Sequence, residues 1–359
     1  MRKPKIVIYR PVDDTGRTHA ELQRAGCDVV IEPIDLDVAT LDESTLDADV
    51  IMGATFRGGL MDDAFLRRFP RLRLVSKYTI GFDDVDLEAA SRLGVAVSHC
   101  PTEANWGGVA EGALAFMLTC LKRIRERDRQ VKAGGWRDDA LRGTYLGARE
   151  DGYAGITVGI VGLGRVGSRL AGLLAPWRLR LIAHDPYVDD AVFARLGVDR
   201  IPLDDLLRVA DVVSLHCALT AETRGMIGRA ALALMKPTAL LLNTARGAVV
   251  DWEALLAALD SGRPAAAALD VFPREPPVID DTVLALGDKL LLSPHMIAAN
   301  TGGTLLAAAP WGAESALDAV RGVWPSRVVN EDVEAVWMRR FSGADLLHST
   351  AVETTGGIR

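Results

Sequence analysis

The sequence predicts an α/β fold with two doubly wound parallel-sheet domains. Apolar, strand-like runs alternate with helical segments in two stretches, residues 5–100 and residues 156 onward. This alternation is typical of layered architecture around a parallel sheet. A chain of 359 residues also favours about two domains, and domains of that size bury a hydrophobic core without disulfides or metals.

The first stretch has the pattern of strands separated by amphipathic helices. Gly26 and Gly94 directly follow two of these helices, where a residue in the left-handed conformation is favoured. The predicted strands are residues 5–9, 28–32, 49–53, 72–77 and 95–98, and the predicted helices are residues 15–25, 61–69 and 85–93.

A single long amphipathic helix is predicted for residues 102–136, because Val109, Ala113, Phe116 and Cys120 recur at three-and-four spacing. Residues 138–153 are polar and irregular, which indicates a connecting loop. The second stretch predicts a last helix over residues 303–321 and a tail from residue 324 with no obvious domain. Its predicted strands are residues 156–161, 180–184, 212–216, 239–243, 266–270 and 290–293.

Composition and charge exclude several classes of function. The net charge of −7 gives no indication of a nucleic-acid partner. No apolar run approaches the ~20 residues that span a bilayer, and the N-terminus lacks a signal-peptide pattern. We therefore expect a cytoplasmic protein with no membrane partner. No zinc spacing occurs among the cysteines, which we expect to be buried thiols rather than metal ligands: Cys27, Cys100, Cys120 and Cys217.

A glycine-rich segment after the predicted strand at residues 156–161 has the G-x-G-x-x-G pattern of a dinucleotide-binding loop, with Gly162, Gly164 and Gly167. The first glycine makes the tight turn, the second lets the backbone approach a pyrophosphate, and the third lets the helix pack closely. Amides at the start of the following helix, from Arg165 and Val166, would bind the diphosphate. The alternative is a glycine-rich turn in an α/β domain that binds no nucleotide.

Asp185 ends the next predicted strand, eighteen residues after Gly167. A carboxylate at this position accepts hydrogen bonds from the hydroxyls of the adenosine ribose. It would also repel the 2′-phosphate of NADP, and no basic residue lies in the turn to compensate. The sequence therefore predicts NAD as the cofactor, unless Arg195 reaches the 2′ position.

Three polar residues follow predicted strands of the second stretch: Arg246, Glu275 and His295. All should lie at the carboxyl edge of the sheet, where open α/β folds bind ligands. Reduction of a keto acid needs a proton donor, a cation that grips the carboxylate, and a group that raises the pKa of the donor. The alternative is a surface ion pair beside a structural histidine.

The segments 243–247 (Asn-Thr-Ala-Arg-Gly), 270–276 (Asp-Val-Phe-Pro-Arg-Glu-Pro) and 293–295 (Ser-Pro-His) resemble the signature segments of the D-isomer-specific 2-hydroxyacid dehydrogenases. The glycine-rich loop, Asp185 and residues 77–86 and 105–111 are similar to the same family. The resemblance covers nearly the whole chain, apart from residues 138–153 and those beyond about 330.

The resemblance implies a role for each candidate residue. Arg246 would bind the substrate carboxylate and carbonyl, His295 would be the acid/base, and Glu275 would set its pKa. The backbone amides of Ile80 and Gly81 would bind the substrate carboxylate. The cofactor pocket would include Asp270, which would hold the nicotinamide carboxamide, and Thr244, together with Ala245 and His216.

The resemblance also implies a discontinuous architecture and a homodimer. A Rossmann coenzyme domain, residues 104–299, would be inserted into a flavodoxin-like substrate domain made of residues 1–103 and 300–359. Dimerisation through the coenzyme domain is expected because small residues line the long helix beside its apolar stripe: Gly107, Gly108, Gly112 and Ala113.

The sequence departs from the family pattern at several positions. Ala218 replaces a usual proline on the adenosine side. Ile297 stands where a glycine is common, so it either narrows the pocket near His295 or packs against the last helix. Arg57 is a candidate second contact for the substrate anion, and the alternative is a solvated loop arginine.

Two other functions remain open at this point. Pro294 precedes the histidine where formate dehydrogenases of this type carry glutamine, which argues against formate as the hydride donor. A non-enzymatic, NAD(H)-responsive scaffold of the same fold would be compatible with all three candidate residues. The sequence does not identify which 2-hydroxy acid would be the substrate.

Overall fold

The computed structural model describes residues 2–13, 15–32, 43–56, 59–300 and 305–347. The chain divides into two compact units. Unit 1 consists of Met1–Asn105 and Asn300–Arg359, and unit 2 consists of Trp106–Ala299. Unit 1 is therefore assembled from two separate parts of the chain, whereas unit 2 is one continuous segment.

Unit 1 contains a five-stranded sheet in which every neighbouring pair is parallel. The strand order is β2-β1-β3-β4-β5, with β1 at Lys5–Tyr9, β2 at Asp28–Glu32, β3 at Val50–Gly53, β4 at Leu74–Lys77 and β5 at Ala96–Ser98. The helices between these strands are α1 (Arg17–Arg24), α2 (Glu43–Leu46), α3 (Asp63–Arg67) and α4 (Leu87–Leu93).

Unit 2 contains a seven-stranded sheet, also parallel throughout, in the order β12-β11-β10-β9-β6-β7-β8. Its strands are β6 (Thr157–Val161), β7 (Arg180–His184), β8 (Asp199–Arg200), β9 (Val212–Leu215), β10 (Leu240–Asn243), β11 (Ala266–Leu269) and β12 (Leu290–Leu292). Central strands are buried on both faces, as expected for a parallel sheet covered by helices. The predicted fold class is confirmed.

The chain between the two sheets forms two helices, α5 (Glu103–Leu121) and α6 (Ile124–Lys132), so the prediction of one long helix was wrong. The break lies at Arg123, which has a left-handed φ of 53°. The carbonyl of Leu121 accepts a hydrogen bond from the amide of Thr144 at 2.8 Å instead of from the next helical turn. Residues that return from the following loop therefore stop the helix.

The remaining helices of unit 2 are α7 (Arg165–Leu174), α8 (Asp190–Leu196), α9 (Leu203–Val209), α10 (Arg229–Leu234), α11 (Trp252–Asp260) and α12 (Asp281–Ala285). Residues 138–153 contain only a short 3₁₀ turn at Asp139–Leu141. No helix in the described ranges is long and apolar enough to cross a membrane. Within those ranges, no three His, Cys, Asp or Glu side chains are grouped as a metal site would need.

The C-terminal part of unit 1 supplies α13 (Ala309–Val320) and α14 (Glu334–Phe341). Helix α14 was not predicted, although it carries Trp337, which is fully buried in the core of unit 1. The indole Nε1 donates a hydrogen bond to the carbonyl of Arg73 at 2.8 Å. Helix α14 is therefore an integral part of the hydrophobic core on one face of the five-stranded sheet.

Candidate active site

The carboxyl ends of the strands of unit 2 lie level with one another. Val161 pairs with both His184 and Leu215, while Asn243 pairs with both Leu215 and Leu269. Every candidate residue of this unit follows one of these strand ends in the chain. The register therefore collects the glycine-rich loop, Asp185, His216, Arg246, Glu275 and His295 at one edge of the sheet, which is where α/β folds bind ligands.

The glycine-rich loop has the close backbone contacts that a dinucleotide-binding turn requires. A Cβ on Gly162, which has a φ of 91°, would lie 2.6 Å from the amide nitrogen of Cys217. A Cβ on Gly167 would lie 2.1 Å from the carbonyl oxygen of Gly162. Both positions therefore require glycine for contacts inside the protein.

Gly164, at the start of α7, differs from the other two glycines because a Cβ there would meet nothing within 4 Å. The space above this residue is open to a ligand, and the first amides of a helix that starts at Arg165 have no acceptor within the helix. An open backbone approach at a helix N-terminus is suited to a diphosphate, so the residues present fit a dinucleotide.

Asp185 is bound to the glycine-rich loop as well as to its own turn. Its Oδ2 accepts a hydrogen bond from the amide of Leu163 at 2.8 Å, and its Oδ1 accepts one from Tyr187 at 2.9 Å. The arginine that contacts this residue is Arg200, whose guanidinium donates to the backbone oxygen of Asp185 at 2.8 Å. Arg195, the candidate from the sequence, lies on α8.

His216 follows β9, and its imidazole lies between two hydroxyl groups. Nε2 is 2.7 Å from Oγ of Ser214, and Nδ1 is 3.4 Å from Oγ1 of Thr244. Burial lowers the pKa of His216 to about 4. The ring is therefore neutral at physiological pH and adds no positive charge beside the predicted cofactor pocket.

The turn after β10 is held by Asn243, a residue to which the sequence analysis gave no role. Its side-chain amide donates to the carbonyl of Arg246 at 3.0 Å, and its Oδ1 accepts from the amide of Ala245 at 3.0 Å. Gly247 packs so closely that a Cβ would lie 1.9 Å from the carbonyl carbon of Phe272. Together these contacts determine where Arg246 leaves the backbone.

Glu275 and His295 form the central contact of the candidate site. Nδ1 of His295 lies 2.7 Å from Oε2 of Glu275, and Oε1 of Glu275 accepts a hydrogen bond from the amide of Phe272 at 3.1 Å. Burial raises the pKa of Glu275, but the bond and charge of His295, the Phe272 amide and the charge of Arg246 outweigh it and hold the pKa below its ordinary value. Glu275 is therefore ionised at neutral pH.

Asp270 is 2 % exposed, and its carboxylate binds the turn that follows His295. Oδ1 accepts hydrogen bonds from the amides of Met296 at 3.0 Å and Ile297 at 3.2 Å. Oδ2 also accepts from the Ile297 amide, at 3.2 Å. The contacts of Asp270 in the structure are thus with the histidine turn, and its contact with a nicotinamide carboxamide stays a prediction.

In unit 1, Ile80 and Gly81 belong to a loop after β4 in which the carbonyl groups of residues 79–81 are bound. The carbonyl of Thr79 accepts from the amide of Cys100 at 3.2 Å, that of Ile80 lies 2.9 Å from Nδ1 of His99, and that of Gly81 accepts from Oγ1 of Thr79 at 2.6 Å. Within the described residues, the amides of Ile80 and Gly81 have no acceptor. Such unpaired neighbouring amides bind anions well.

Lys77 connects the strand ends around this loop. Its ammonium group is fully buried and contacts Oη of Tyr9 at 2.7 Å, the carbonyl of Ala54 at 2.5 Å and Oδ2 of Asp84 at 2.5 Å. The same carboxylate oxygen accepts the amide of Phe56 at 2.5 Å. One buried ion pair thus ties together the ends of β1, β3 and β4. Arg57, the second candidate for the substrate anion, lies outside the described residues.

The fold and the site define a dinucleotide-binding oxidoreductase, and comparison with known proteins narrows this class. Residues 114–297 match the model of the D-isomer specific 2-hydroxyacid dehydrogenase family, NAD binding domain. The glyoxylate reductase of Aeropyrum pernix is 39% identical over 286 residues, which cover 77% of this chain and 82% of that protein. The chain belongs to the D-isomer-specific 2-hydroxyacid dehydrogenase family, and it is an oxidoreductase that uses NAD.

Two further relatives show the range of the family. The D-3-phosphoglycerate dehydrogenase of Mycobacterium leprae is 38% identical over 286 residues, which cover 80% of this chain but only 51% of that protein. The D-lactate dehydrogenase of Aquifex aeolicus, solved with NAD and lactic acid, superposes with a TM-score of 0.77 at 28% identity, covering 88% of this chain and 96% of that one. These relatives are thus named for three different activities within one family.

Proposed function

We propose that the protein interconverts a small 2-keto acid and the corresponding D-2-hydroxy acid, with unit 2 as the coenzyme domain and unit 1 as the substrate domain. The observation that carries this proposal is the 2.7 Å contact between His295 and Glu275 at the carboxyl edge of the sheet. A histidine held by a carboxylate and accompanied by an arginine is the set of groups that keto-acid reduction requires.

The glycine-rich loop and Asp185 would hold NADH, which would supply a hydride for the carbonyl carbon of the substrate. His295, bound to Glu275 through Nδ1, delivers a proton from Nε2 to the oxygen that becomes the hydroxyl group, and accepts it in the reverse direction. Arg246 binds the carboxylate and polarises the carbonyl. The unpaired amides of Ile80 and Gly81 would donate hydrogen bonds to the carboxylate as well. The ionised Glu275 stabilises the positive charge of the imidazolium before proton transfer.

The proposed reaction is tested by the fall in NADH absorbance at 340 nm on addition of glyoxylate, hydroxypyruvate, pyruvate or a phosphorylated keto acid. Acetaldehyde, which lacks a carboxylate, is the control substrate and should not react. The product with a stereocentre should be the D isomer by chiral chromatography. Binding of NADH without turnover of any keto acid would contradict the proposal and would support the scaffold function.

The choice of NAD over NADP should depend on Asp185. Each charge-assisted hydrogen bond from a ribose hydroxyl contributes about 1.5–3 kcal/mol, and the carboxylate repels a phosphate. We therefore expect kcat/KM with NADH to exceed that with NADPH by at least about a hundredfold, since 1.4 kcal/mol corresponds to tenfold. Asp185→Ser should remove most of this preference.

The control for this variant is Asp189→Ser, which removes a nearby exposed carboxylate that does not contact the glycine-rich loop. It should leave the ratio of the two kcat/KM values unchanged. Equal values for NADH and NADPH in the wild-type enzyme would show that Asp185 does not discriminate between the cofactors.

We also propose a homodimer formed through unit 2, but on a different surface from the one that the small residues of α5 indicated. Those glycines and Ala113 are buried within unit 2. Exposed apolar side chains lie instead on α6 and in the segment that follows it, at Ile124, Val131, Trp136 and Tyr145, between 52% and 73% exposed, and others lie elsewhere in unit 2, Tyr187 and Met296 among them. We place the interface at the four residues on and after α6, because exposed apolar side chains close together in the chain are typical of an interface between copies of a chain.

Light scattering at micromolar concentration should therefore give the mass of two chains. Trp136→Ser should shift the population toward monomer, because it removes the most exposed apolar side chain of this surface. Val323→Ser, which alters an exposed apolar residue of unit 1, is the matched control and should remain dimeric. A monomeric wild-type protein would overturn this proposal.

A further inference from the structure

Gly112, in the middle of α5, is packed against the turn that carries the candidate catalytic histidine. A Cβ on Gly112 would lie 2.1 Å from Cγ1 of Ile297, 3.1 Å from Cδ1 and 2.9 Å from the carbonyl oxygen of Ile297. Such distances are far below van der Waals contact. Any other residue at position 112 would therefore have to displace both the side chain and the backbone of Ile297.

The sequence allowed Ile297 to narrow the pocket near His295 or to pack against the last helix, and the structure shows a different contact, with α5. Its side chain packs against the hydrophobic core that α5 shares with the seven-stranded sheet. The amide of Ile297 is bound by the buried carboxylate of Asp270. Residue 297 is thus held from two directions, through its amide by Asp270 and through its side chain and carbonyl by Gly112.

His295 lies two residues before this contact and has a left-handed φ of 55°. A non-glycine residue reaches this region only at a conformational cost, so the surrounding structure has to maintain it. The imidazole keeps its bond to Glu275 only while the backbone of residues 295–297 stays in place. The geometry therefore links α5 to the orientation of the His295 ring.

We propose that Gly112 and Ile297 form a complementary pair that positions the His295 imidazole, which makes Gly112 a positioning residue for the reaction. This inference rests on the proposed function. Its physical reason is that proton transfer requires a close match of position, and a displacement of about 1 Å can cost about a hundredfold in rate. The closest part of the contact depends on the isoleucine at 297, since a smaller side chain would remove the atoms at 2.1 and 3.1 Å and leave only the carbonyl oxygen at 2.9 Å.

The test is a double-mutant cycle at positions 112 and 297. Gly112→Ala should lower kcat by about 10- to 100-fold, while the KM for NADH and its Kd from fluorescence titration change less than about twofold. Adding Ile297→Ala should restore kcat most of the way to the level of Ile297→Ala alone, because truncation removes both side-chain contacts and leaves only the milder 2.9 Å contact with the carbonyl oxygen. Gly172→Ala, on the exposed side of α7 where a Cβ meets nothing within 4 Å, is the matched helical control and should be unchanged.

The pairing would be wrong if Gly112→Ala lowers kcat and the addition of Ile297→Ala does not restore it. It would also be wrong if Gly112→Ala keeps the wild-type kcat. If Gly112→Ala does not fold, the double variant should still fold and reduce the keto acid, and its failure to do so would count against the pair.

A second measurement does not depend on turnover and so separates this inference from the proposed reaction. The NMR signal of the His295 ring, assigned with His295→Gln, should shift in Gly112→Ala and return toward the Ile297→Ala position in the double variant. An unshifted signal would contradict the inference even if the enzyme reduces a keto acid. A shift in a protein that reduces no keto acid would contradict only the proposed function.

Discussion

Replacing His295 with glutamine should lower kcat by about 10²–10⁴-fold, the usual contribution of a positioned acid/base. Glutamine can keep a hydrogen bond to Glu275 but has no proton to give at neutral pH. The Kd of NADH should stay near the wild-type value, because in the proposed site the glycine-rich loop and Asp185 would bind the opposite part of the cofactor. Stopped-flow measurement of a single turnover, beside the steady-state rate, would show that the chemical step is the one affected.

The matched control is His19→Gln, at a histidine of α1 in unit 1 that has no place in the proposed mechanism. Its kcat should equal that of the wild-type enzyme. If His295→Gln keeps more than a tenth of wild-type turnover, His295 is not the proton donor, and the bond to Glu275 serves the structure of the turn alone.

Arg246→Lys should reduce kcat/KM by about 10- to 100-fold or more, although the charge is conserved. The planar guanidinium binds a carboxylate through two parallel hydrogen bonds, and an ammonium group does not reproduce this geometry. Loss of one charge-assisted hydrogen bond, about 1.5–3 kcal/mol, is sufficient for this effect. In addition, Nη1 of Arg246 donates to the carbonyl of Ala245 at 2.7 Å, so the shorter-reaching lysine also loses its anchor.

Arg274→Lys provides the control for this prediction, since Arg274 is an exposed arginine directly beside Glu275. Its kcat/KM should be unaffected. The decisive comparison is the dependence of KM on the length of the keto acid in both variants. An unchanged kcat/KM in Arg246→Lys would mean that another group holds the carboxylate, with Arg57 the next candidate.

Most of the sheet topology could be predicted from local patterns. The strands at Lys5–Tyr9, Asp28–Glu32 and Arg180–His184 have the predicted bounds. Their bounds depend on apolar runs and on capping glycines of the neighbouring helices, and both can be seen in the local sequence. The break at Arg123 could not be predicted, because it depends on the amide of Thr144, which lies further along the chain. Helix α14 was missed although Trp337 and Phe341 have helical spacing, because a segment of eight residues is too short for its apolar spacing to predict a helix.

The site shows the same division between local and tertiary information. Strand ends in a parallel sheet lie at one edge, so the neighbourhood of Arg246, Glu275 and His295 follows from their places in the sequence. The contacts that support these residues cannot be inferred from their places in the sequence. Asp270 binds amides 26 and 27 residues away, and Lys77, at the end of β4, binds groups at the ends of β1 and β3 as well as Asp84. Partners of this kind are visible only after the chain has folded.

The discontinuity of unit 1 has a consequence for biosynthesis. Trp337, which completes its core, emerges from the ribosome more than 230 residues after the end of the first part at Asn105. At about 5–20 residues per second, that delay is roughly 10–50 s. During this interval one face of the five-stranded sheet has no covering helix from the C-terminal part, while unit 2 can fold as soon as it is synthesised. We therefore expect chaperones that bind apolar surfaces to associate with this sheet face of the nascent N-terminal segment during translation.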